Sequence, residues 1–204
     1  KARFVDMYGA DDHAQLHNGQ RSQMVNDHHF NRVVKLIEDA TAKGATVIHG
    51  GTWDASSRRI APTLLDHVTL DMDIMKEEIF GPVLPIMRWK DPKEVNRMVR
   101  ANPNPLAMYF FSHDRDAVDR WMAANPAGTT GINEVVLHVA NPSLPFGGIQ
   151  SSGMGRTGGV EGFKAFSNMR SVLRQTSRFN VLPLTFPPYN GFSLSFARAV
   201  QRWL

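Results

Sequence analysis

Glu77-Glu78-Ile79-Phe80-Gly81-Pro82 is the stretch that decides the fold of this 204-residue chain, together with the apolar run that starts at Val83. Gly81-Pro82 turns the chain, and the apolar residues up to Trp89 are typical of a buried strand. Asp91 and Pro92 then begin a helix, because Asp caps a helix N-terminus and Pro fits its first turn. Two adjacent carboxylates in a loop are usually solvated, so they do not by themselves indicate an acid–base site.

Upstream of this stretch, the pattern predicts one long helix. Apolar residues recur at helical spacing over residues 27–43, and Asn26 or Asp27 can cap the start. Two short strands are expected between this helix and Glu77. Residues 1–25 are polar and rich in turn-forming residues, so no regular element is predicted there.

Downstream, strands and helices alternate. Strand patterns cover residues 106–111 and 130–139, and they enclose a helix that Asp114 caps and that ends before Pro126. The order strand, helix, strand, helix, strand from residue 83 to residue 139 predicts βαβ units on a parallel sheet. The sequence therefore predicts the α/β class.

The amino-acid composition of the chain changes after residue 140. Pro and Gly cluster from Pro142 to Gly162, which predicts a long loop with a functional role. Imperfect alternation over residues 163–175 predicts a strand, and the spacing of apolar residues from Phe192 to Trp203 predicts a terminal amphipathic helix with these residues on its apolar face. We expect two parts, residues 1–162 and residues 163–204.

Composition excludes several classes of site. The chain has no cysteine, which excludes disulfides, cysteine-based zinc sites and thiol catalysis by its own residues. No run of 18 apolar residues and no signal-peptide pattern is present, so we expect no membrane span and a cytoplasmic location. Residues 151–204 have a net charge of +6, but the seven cations are scattered, so nucleic-acid binding is not expected.

Two further patterns resemble known sites but lack their context. Residues 153–158 match G-x-G-x-x-G, yet no strand precedes them and no acidic residue follows at the distance that a dinucleotide site requires. We expect these glycines to permit a tight loop with positive φ angles. His13 and His17 have the spacing of a helical metal pair, but no helix and no third ligand are predicted there, so no metal site is predicted.

A second motif, Pro145-Phe146-Gly147-Gly148, lies downstream of the first. In this order the two motifs resemble those of the aldehyde dehydrogenase family, and residues 4–190 are similar to its class 3 and coniferyl-aldehyde branch. The resemblance implies that residues 1–162 are the C-terminal part of the catalytic domain, with a parallel βαβ sheet and an oligomerisation strand near residues 130–139. Residues 163–204 would be a C-terminal oligomerisation segment, consisting of an assembly strand and a tail helix.

The resemblance implies roles for four residues. Glu78 would bind the hydroxyls of the nicotinamide ribose of NAD or NADP, and Phe80 would pack beside that ribose. An ionised carboxylate suits this role because it accepts hydroxyl hydrogen bonds well. Phe146, with His138, would line the channel for the aldehyde substrate. Simple core packing is the alternative for Phe146, since phenylalanine is usually buried.

The nucleophile of the family is not in this chain. In the family a cysteine attacks the aldehyde carbonyl, hydride passes to NAD(P)⁺, and water releases the carboxylic acid. That cysteine, the general-base Glu, the oxyanion Asn and the Rossmann half would all precede Lys1. We therefore expect no catalytic residue here and no activity from the chain alone.

Two interpretations of function stay open at this point. The first is that the chain is part of an NAD(P)-dependent aldehyde dehydrogenase, which acts on an aromatic aldehyde such as coniferyl aldehyde or on a medium-chain aliphatic one. The alternative is a non-catalytic subunit, a pseudoenzyme that assembles with active subunits.

In the family, the strand that matches residues 163–175 pairs across a subunit interface, which implies a homodimer or a higher homo-oligomer. The alternative is that this strand folds back on its own sheet.

Overall fold

The computed structural model describes residues 2–175 and 186–202. Its helices are α1 (Ala2–Tyr8), α2 (Asp12–His17), α3 (Asp27–Ala42), α4 (Pro92–Ala101), α5 (Arg115–Ala124), α6 (Leu137–Ala140), α7 (Gly159–Ala165) and α8 (Gly191–Gln201). Its strands are β1 (Thr46–His49), β2 (Trp53–Asp54), β3 (Arg59–Ile60), β4 (Thr63–Asp66), β5 (Val83–Pro85), β6 (Ala107–Phe110) and β7 (Thr129–Ile132). The chain divides into two units, Lys1–Ala165 and Phe166–Leu204.

Helix α3 forms where the apolar spacing predicts it. The side chain of Asn26 accepts a hydrogen bond from the His29 backbone N–H at 2.9 Å, which satisfies one of the free amides at the helix start. Gly44 follows the helix with a φ of 102°, a conformation that favours glycine and lets the chain leave the helix axis.

The hydrophobic core lies between residues 30 and 83. One face of α3 packs there with apolar residues of β4 and β5, and each fully buried Val, Leu, Ile or Phe contributes about 1.5–3 kcal/mol to folding. Outside this region, Leu16 and Val118 are the only buried apolar side chains among the described residues. The first half of the chain therefore holds most of the core.

The described residues form three small sheets, and two of these contain parallel pairs. In the sheet β1-β4-β5, strand β4 is antiparallel to β1 and parallel to β5. Strands β6 and β7 form a separate parallel pair, joined by α5 as a βαβ unit, and β2 pairs with β3 as a hairpin. The α/β class is confirmed. The prediction of one parallel sheet across residues 83–139 is wrong, because β5 pairs with β4 and not with β6.

The predicted strand over residues 130–139 is also too long. Strand β7 ends at Ile132, and Asn133 and Val136 have φ angles of 55° and 67°. A left-handed conformation at a β-branched residue is unusual, and it breaks the extended chain before α6 begins. Near residues 130–139, where the resemblance implies an oligomerisation strand, the extended chain therefore ends with β7, and the oligomerisation role stays a prediction.

Two terminal regions differ from their predictions. Residues 1–25 contain α1 and α2 instead of turns alone, and Asp11 caps α2 by accepting from the Ala14 N–H at 2.8 Å. The strand predicted over residues 163–175 is not formed, because Ala165 ends α7 and residues 166–175 have no regular structure. A strand forms only where its backbone pairs with a neighbouring strand, and none of the strand pairs in the described residues includes this segment.

The terminal helix forms as α8, with Asn190 as its cap, and Trp203, predicted on its apolar face, lies outside the described residues. Within residues 2–175 and 186–202, no helix combines the length and the apolar character needed to cross a membrane.

Candidate functional site

The loop of residues 77–82 connects a short 3₁₀ turn, Asp73–Met75, to strand β5. Ile79 in the middle of the loop packs against the hydrophobic core, while its neighbours Glu78 and Phe80 are exposed. Phe80 is 74% exposed and has a φ of 43°, which is uncommon for an aromatic residue. The loop thus presents a carboxylate and an aromatic ring to solvent on either side of an anchored residue.

The two carboxylates of this loop have different surroundings. Glu77 Oε2 lies 3.2 Å from Arg32 Nη1 and forms an ion pair with it. The Glu78 side chain has no hydrogen-bond or ion-pair partner among the residues that the structure describes, and only its backbone carbonyl is bonded. The Glu78 carboxylate can therefore accept hydrogen bonds from a ligand.

A second contact holds the start of this loop. Asn102, just after α4, donates from Nδ2 to the Met75 carbonyl at 2.8 Å. Glu77 and Glu78 line a cleft of about 390 Å³ on this side of the loop, with Pro85 and Asn102 among its other lining residues. The loop is thus fixed at its base by α4 and at its centre by α3.

His138 lies in the second candidate region, at the end of strand β7. It is buried in α6, and its Nε2 is 3.1 Å from Thr129 Oγ1. Its Nδ1 forms no hydrogen bond within the described residues, and the Glu134 carboxylate lies 3.5 Å from it. The imidazole ring centre is 5.6 Å from that of Tyr109 and 6.1 Å from that of Phe146. His138 therefore lies directly against Phe146.

Phe146 is half-buried in a closed loop. Its backbone N–H and carbonyl each pair with Thr157 at 2.8 Å, and this isolated bridge joins the two ends of the Gly-rich segment. Arg156 donates to the carbonyls of Gly148 and Gly155, which closes the loop from inside. The side chain of Phe146 is thus held by a rigid backbone.

The G-x-G-x-x-G segment has a structural role in this loop. Gly153, Gly155 and Gly158 have φ angles of 142°, 81° and 78°, and a 3₁₀ turn instead of a strand precedes them. The prediction of a tight loop with positive φ angles is confirmed.

The possible metal pair lies on α2. The ring centres of His13 and His17 are 4.6 Å apart. Among residues 2–175 and 186–202, no group of three or more His, Asp or Glu side chains is arranged to hold a metal ion.

Comparison with known proteins identifies the family. Residues 12–172 match the sequence profile of the Aldehyde dehydrogenase family. The chain belongs to the aldehyde dehydrogenase family. A mouse relative, the dimeric NADP-preferring aldehyde dehydrogenase, is 40% identical over 178 residues, which are 87% of this chain and 38% of the relative. The Arabidopsis thaliana aldehyde dehydrogenase family 3 member H1 is 38% identical over 88% of this chain and 37% of its own length.

A solved structure gives the same result. Staphylococcus aureus AldH in its substrate-bound state matches with a TM-score of 0.80 at 35% identity, over 98% of this chain and 42% of that one. The chain thus spans well under half the length of the aldehyde dehydrogenases it matches. The predicted class 3 membership is confirmed, because relatives from that branch cover most of the chain.

The structure groups the four predicted residues into two pairs. Glu78 and Phe80 share one loop, and His138 and Phe146 are in contact. No hydrogen bond, ion pair or ring contact joins one pair to the other within the described residues. Their roles in an aldehyde dehydrogenase therefore remain predictions.

Sequence reasoning missed the residues that support these pairs. Arg32 and Asn102 bind the loop of Glu78 from distant helices, and Thr129 and Glu134 flank His138. No local motif marks Arg32 or Asn102, because their contacts join residues 27 to 47 positions apart. No regular spacing marks the contact of Glu134 with His138, because the left-handed Val136 separates Glu134 from α6.

Proposed function

We propose that this chain is part of an NAD(P)-dependent aldehyde dehydrogenase that oxidises an aldehyde to its carboxylic acid. One observation carries the proposal: the exposed residues Glu78 and Phe80 flank the anchored Ile79 in one loop, and the Glu78 carboxylate has no partner among the described residues. This arrangement fits a polyhydroxylated ligand with an apolar face. When bound, NAD(P)⁺ supplies the hydride acceptor.

The residues of this loop fit the ribose of the cofactor. The two oxygens of the Glu78 carboxylate match two hydroxyl donors, and charge-assisted hydrogen bonds of this kind are stronger than neutral ones. The ring of Phe80 would cover the sugar and exclude water from it. The name of the mouse relative, NADP-preferring, supports NADP as one of the two candidate cofactors.

The aldehyde would lie near Phe146. A half-buried aromatic ring on a rigid loop is suited to an apolar substrate, either an aromatic aldehyde such as coniferyl aldehyde or a medium-chain aliphatic one. His138 packs against this ring and is itself buried, so we propose that it supports Phe146 at the aldehyde site.

The thiol that attacks the aldehyde is not supplied by these 204 residues, which contain no cysteine. We therefore propose that the chain alone is inactive and works with further sequence that carries the thiol, within a homodimer or a higher homo-oligomer in the cytoplasm. The dimeric state of the mouse relative supports the dimer. The absence of cysteine also favours a second candidate, a non-catalytic subunit that assembles with active ones.

The test is an activity measurement on the polypeptide that carries these residues, after its intact mass has been determined. Reduced cofactor would be followed by absorbance with NAD⁺ or NADP⁺ and with coniferyl aldehyde or hexanal. Formation of NADH or NADPH that requires the aldehyde would support the dehydrogenase. Residues 1–204 expressed alone are the control and should form none. No reduction of either cofactor by the whole polypeptide would contradict the first proposal and favour the non-catalytic subunit.

A further inference from the structure

Helix α3 contacts the loop of residues 77–82 through two consecutive side chains. Arg32 donates from Nη1 to the Glu78 carbonyl at 2.8 Å and from Nη2 to the Ile79 carbonyl at 2.6 Å. The next residue, Val33, is fully buried and packs on Gly81, where a Cβ would lie 2.9 Å from each Val33 methyl carbon. One helix thus fixes the loop on both sides of Phe80.

The guanidinium of Arg32 holds the two peptide groups that flank Ile79. A planar guanidinium presents its N–H donors in a fixed fork, so two bonded carbonyls are held in a defined relative orientation. Those peptide groups set the direction in which the side chains of Glu78 and Phe80 leave the backbone. The Glu77 carboxylate, 3.2 Å from the same Nη1 that bonds the Glu78 carbonyl, is a third partner that restrains the guanidinium.

We propose that Arg32 is a positioning residue for cofactor binding, which holds the Glu78 carboxylate and the Phe80 ring in the orientation that the nicotinamide ribose requires. This inference rests on the proposed function and adds to it a residue that does not touch the cofactor. It also gives the two glutamates different tasks. Glu77 pairs with Arg32, and Glu78 stays available for the ribose.

Because of the position of Arg32, its substitution should change the order of the loop without unfolding α3. The opposite face of α3 is fixed in the core by Phe30, Val34 and Ile37, which are all buried. The Arg32 side chain is 20% exposed, and among the described residues it bonds only to this loop. Loss of the guanidinium should therefore release the loop while α3 stays packed.

The test compares three variants of the polypeptide that carries these 204 residues. Arg32→Met removes the guanidinium, and Arg32→Lys keeps the charge but cannot hold two carbonyls in one plane. Lys35→Met is the matched control, because it removes one positive charge from an exposed position on the same helix. Each protein would be titrated with NAD⁺ and with NADP⁺, and hydrogen–deuterium exchange would be measured over residues 76–82.

We expect Arg32→Met to raise the dissociation constant for the preferred cofactor about tenfold or more, with faster exchange over residues 76–82. Arg32→Lys should be intermediate, and it carries the test if Arg32→Met does not fold. The KM for the aldehyde and the behaviour of Lys35→Met should not change. In a Glu78→Gln background, Arg32→Met should weaken binding much less, because it acts through Glu78.

Two negative results can be told apart. If the unsubstituted protein binds cofactor and the Arg32 variants bind it equally well, this inference is overturned and the proposed function stands. If the unsubstituted protein binds neither NAD⁺ nor NADP⁺, the proposed function fails, and the inference fails with it.

Discussion

Asp66 at the end of strand β4 forms an ion pair with Arg88, in which the carboxylate is buried and the guanidinium is exposed. Arg88 Nε donates to Asp66 Oδ1 at 3.1 Å, a second bond joins Nη2 to Oδ2, and the His67 backbone N–H donates at 2.8 Å. The Arg88 bonds, followed by the His67 bond, lower the pKa of Asp66 to about 2. This pair connects β4 to the segment after β5.

Stability should therefore depend on acid pH through Asp66. Its folded-state pKa lies below the ordinary value of about 3.9. The contribution of Asp66 to the free energy of unfolding is therefore complete above about pH 4, and it is lost as the pH falls toward about 2. Arg88→Met should lower the free energy of unfolding at pH 7, and the difference from the unsubstituted protein should shrink between about pH 4 and pH 2. Urea denaturation across this pH range measures the difference in the free energy of unfolding. Lys90→Met, at an exposed position two residues on, is the control, and a difference that is constant with pH would contradict the assignment.

Glu78→Gln should weaken cofactor binding and slow hydride transfer in the polypeptide that carries this chain. Each charge-assisted hydrogen bond that the ribose loses is worth about 1.5–3 kcal/mol, which corresponds to roughly tenfold to a hundredfold in affinity. The fold should not change, because the carboxylate has no partner among the described residues. Glu77→Gln is the matched control and should have a smaller effect, through Arg32. An unchanged single-turnover rate for Glu78→Gln would mean that Glu78 is only a surface acid.

Gly81→Ala should destabilise the protein through its contact with Val33. The new methyl group would meet both methyl carbons of the fully buried Val33, and overpacking of this kind costs about 1–3 kcal/mol. The double variant with Val33→Ala should recover part of this loss, because the smaller side chain makes room for the methyl group. Chemical denaturation of both single variants and the double variant gives the coupling energy. Strictly additive effects would show that the two residues do not interact.

Phe146→Ala tests whether this ring binds substrate or only packs. Loss of a substrate contact should raise the KM for apolar aldehydes about tenfold, at about 1–2 kcal/mol, and leave the cofactor affinity unchanged. Leu144→Ala, two residues away and 46% exposed, is the control. A fall in the melting temperature with an unchanged KM would favour the packing alternative for Phe146.

The segment of residues 166–175 should mediate assembly. Phe166 and Leu173 are 93% and 98% exposed, and apolar side chains this open are expected to be covered by a partner. Phe166→Asp with Leu173→Asp should convert oligomers into monomers, as measured by light scattering coupled to size exclusion. Leu173→Met keeps the apolar character and should preserve the oligomer. If the double Asp variant assembles like the unsubstituted protein, the interface lies elsewhere.

Local patterns predicted the elements that depend on local chemistry. The spacing of apolar residues located α3, and the Asp residues at positions 91 and 114 cap α4 and α5 by accepting from Lys93 and Ala117 backbone N–H groups. The same rule would have found α2 from Asp11, which accepts from Ala14. Helix starts are readable because the cap and its amide are three residues apart or fewer.

Contacts between distant residues were not readable in this way. The pairing of β5 with β4 and the bonds from Arg32 to the loop join residues that no local pattern connects. The left-handed φ at Phe80 is imposed by an anchored loop and not by the preference of phenylalanine. The alternation over residues 163–175 describes a segment that can become a strand only beside a neighbour.

The uneven distribution of the hydrophobic core has a consequence for how this chain can diverge. Ile79 packs into the core, whereas Phe146 lies in a region where Val118 is the only buried apolar side chain among the described residues. Among the described residues, substitutions around Phe146 therefore remove less folding energy than substitutions in the core, so the proposed aldehyde site can change through single mutations that leave this core intact. Equivalent changes around Ile79 would weaken both the core and the loop of residues 77–82, so the proposed cofactor site has far less freedom to change.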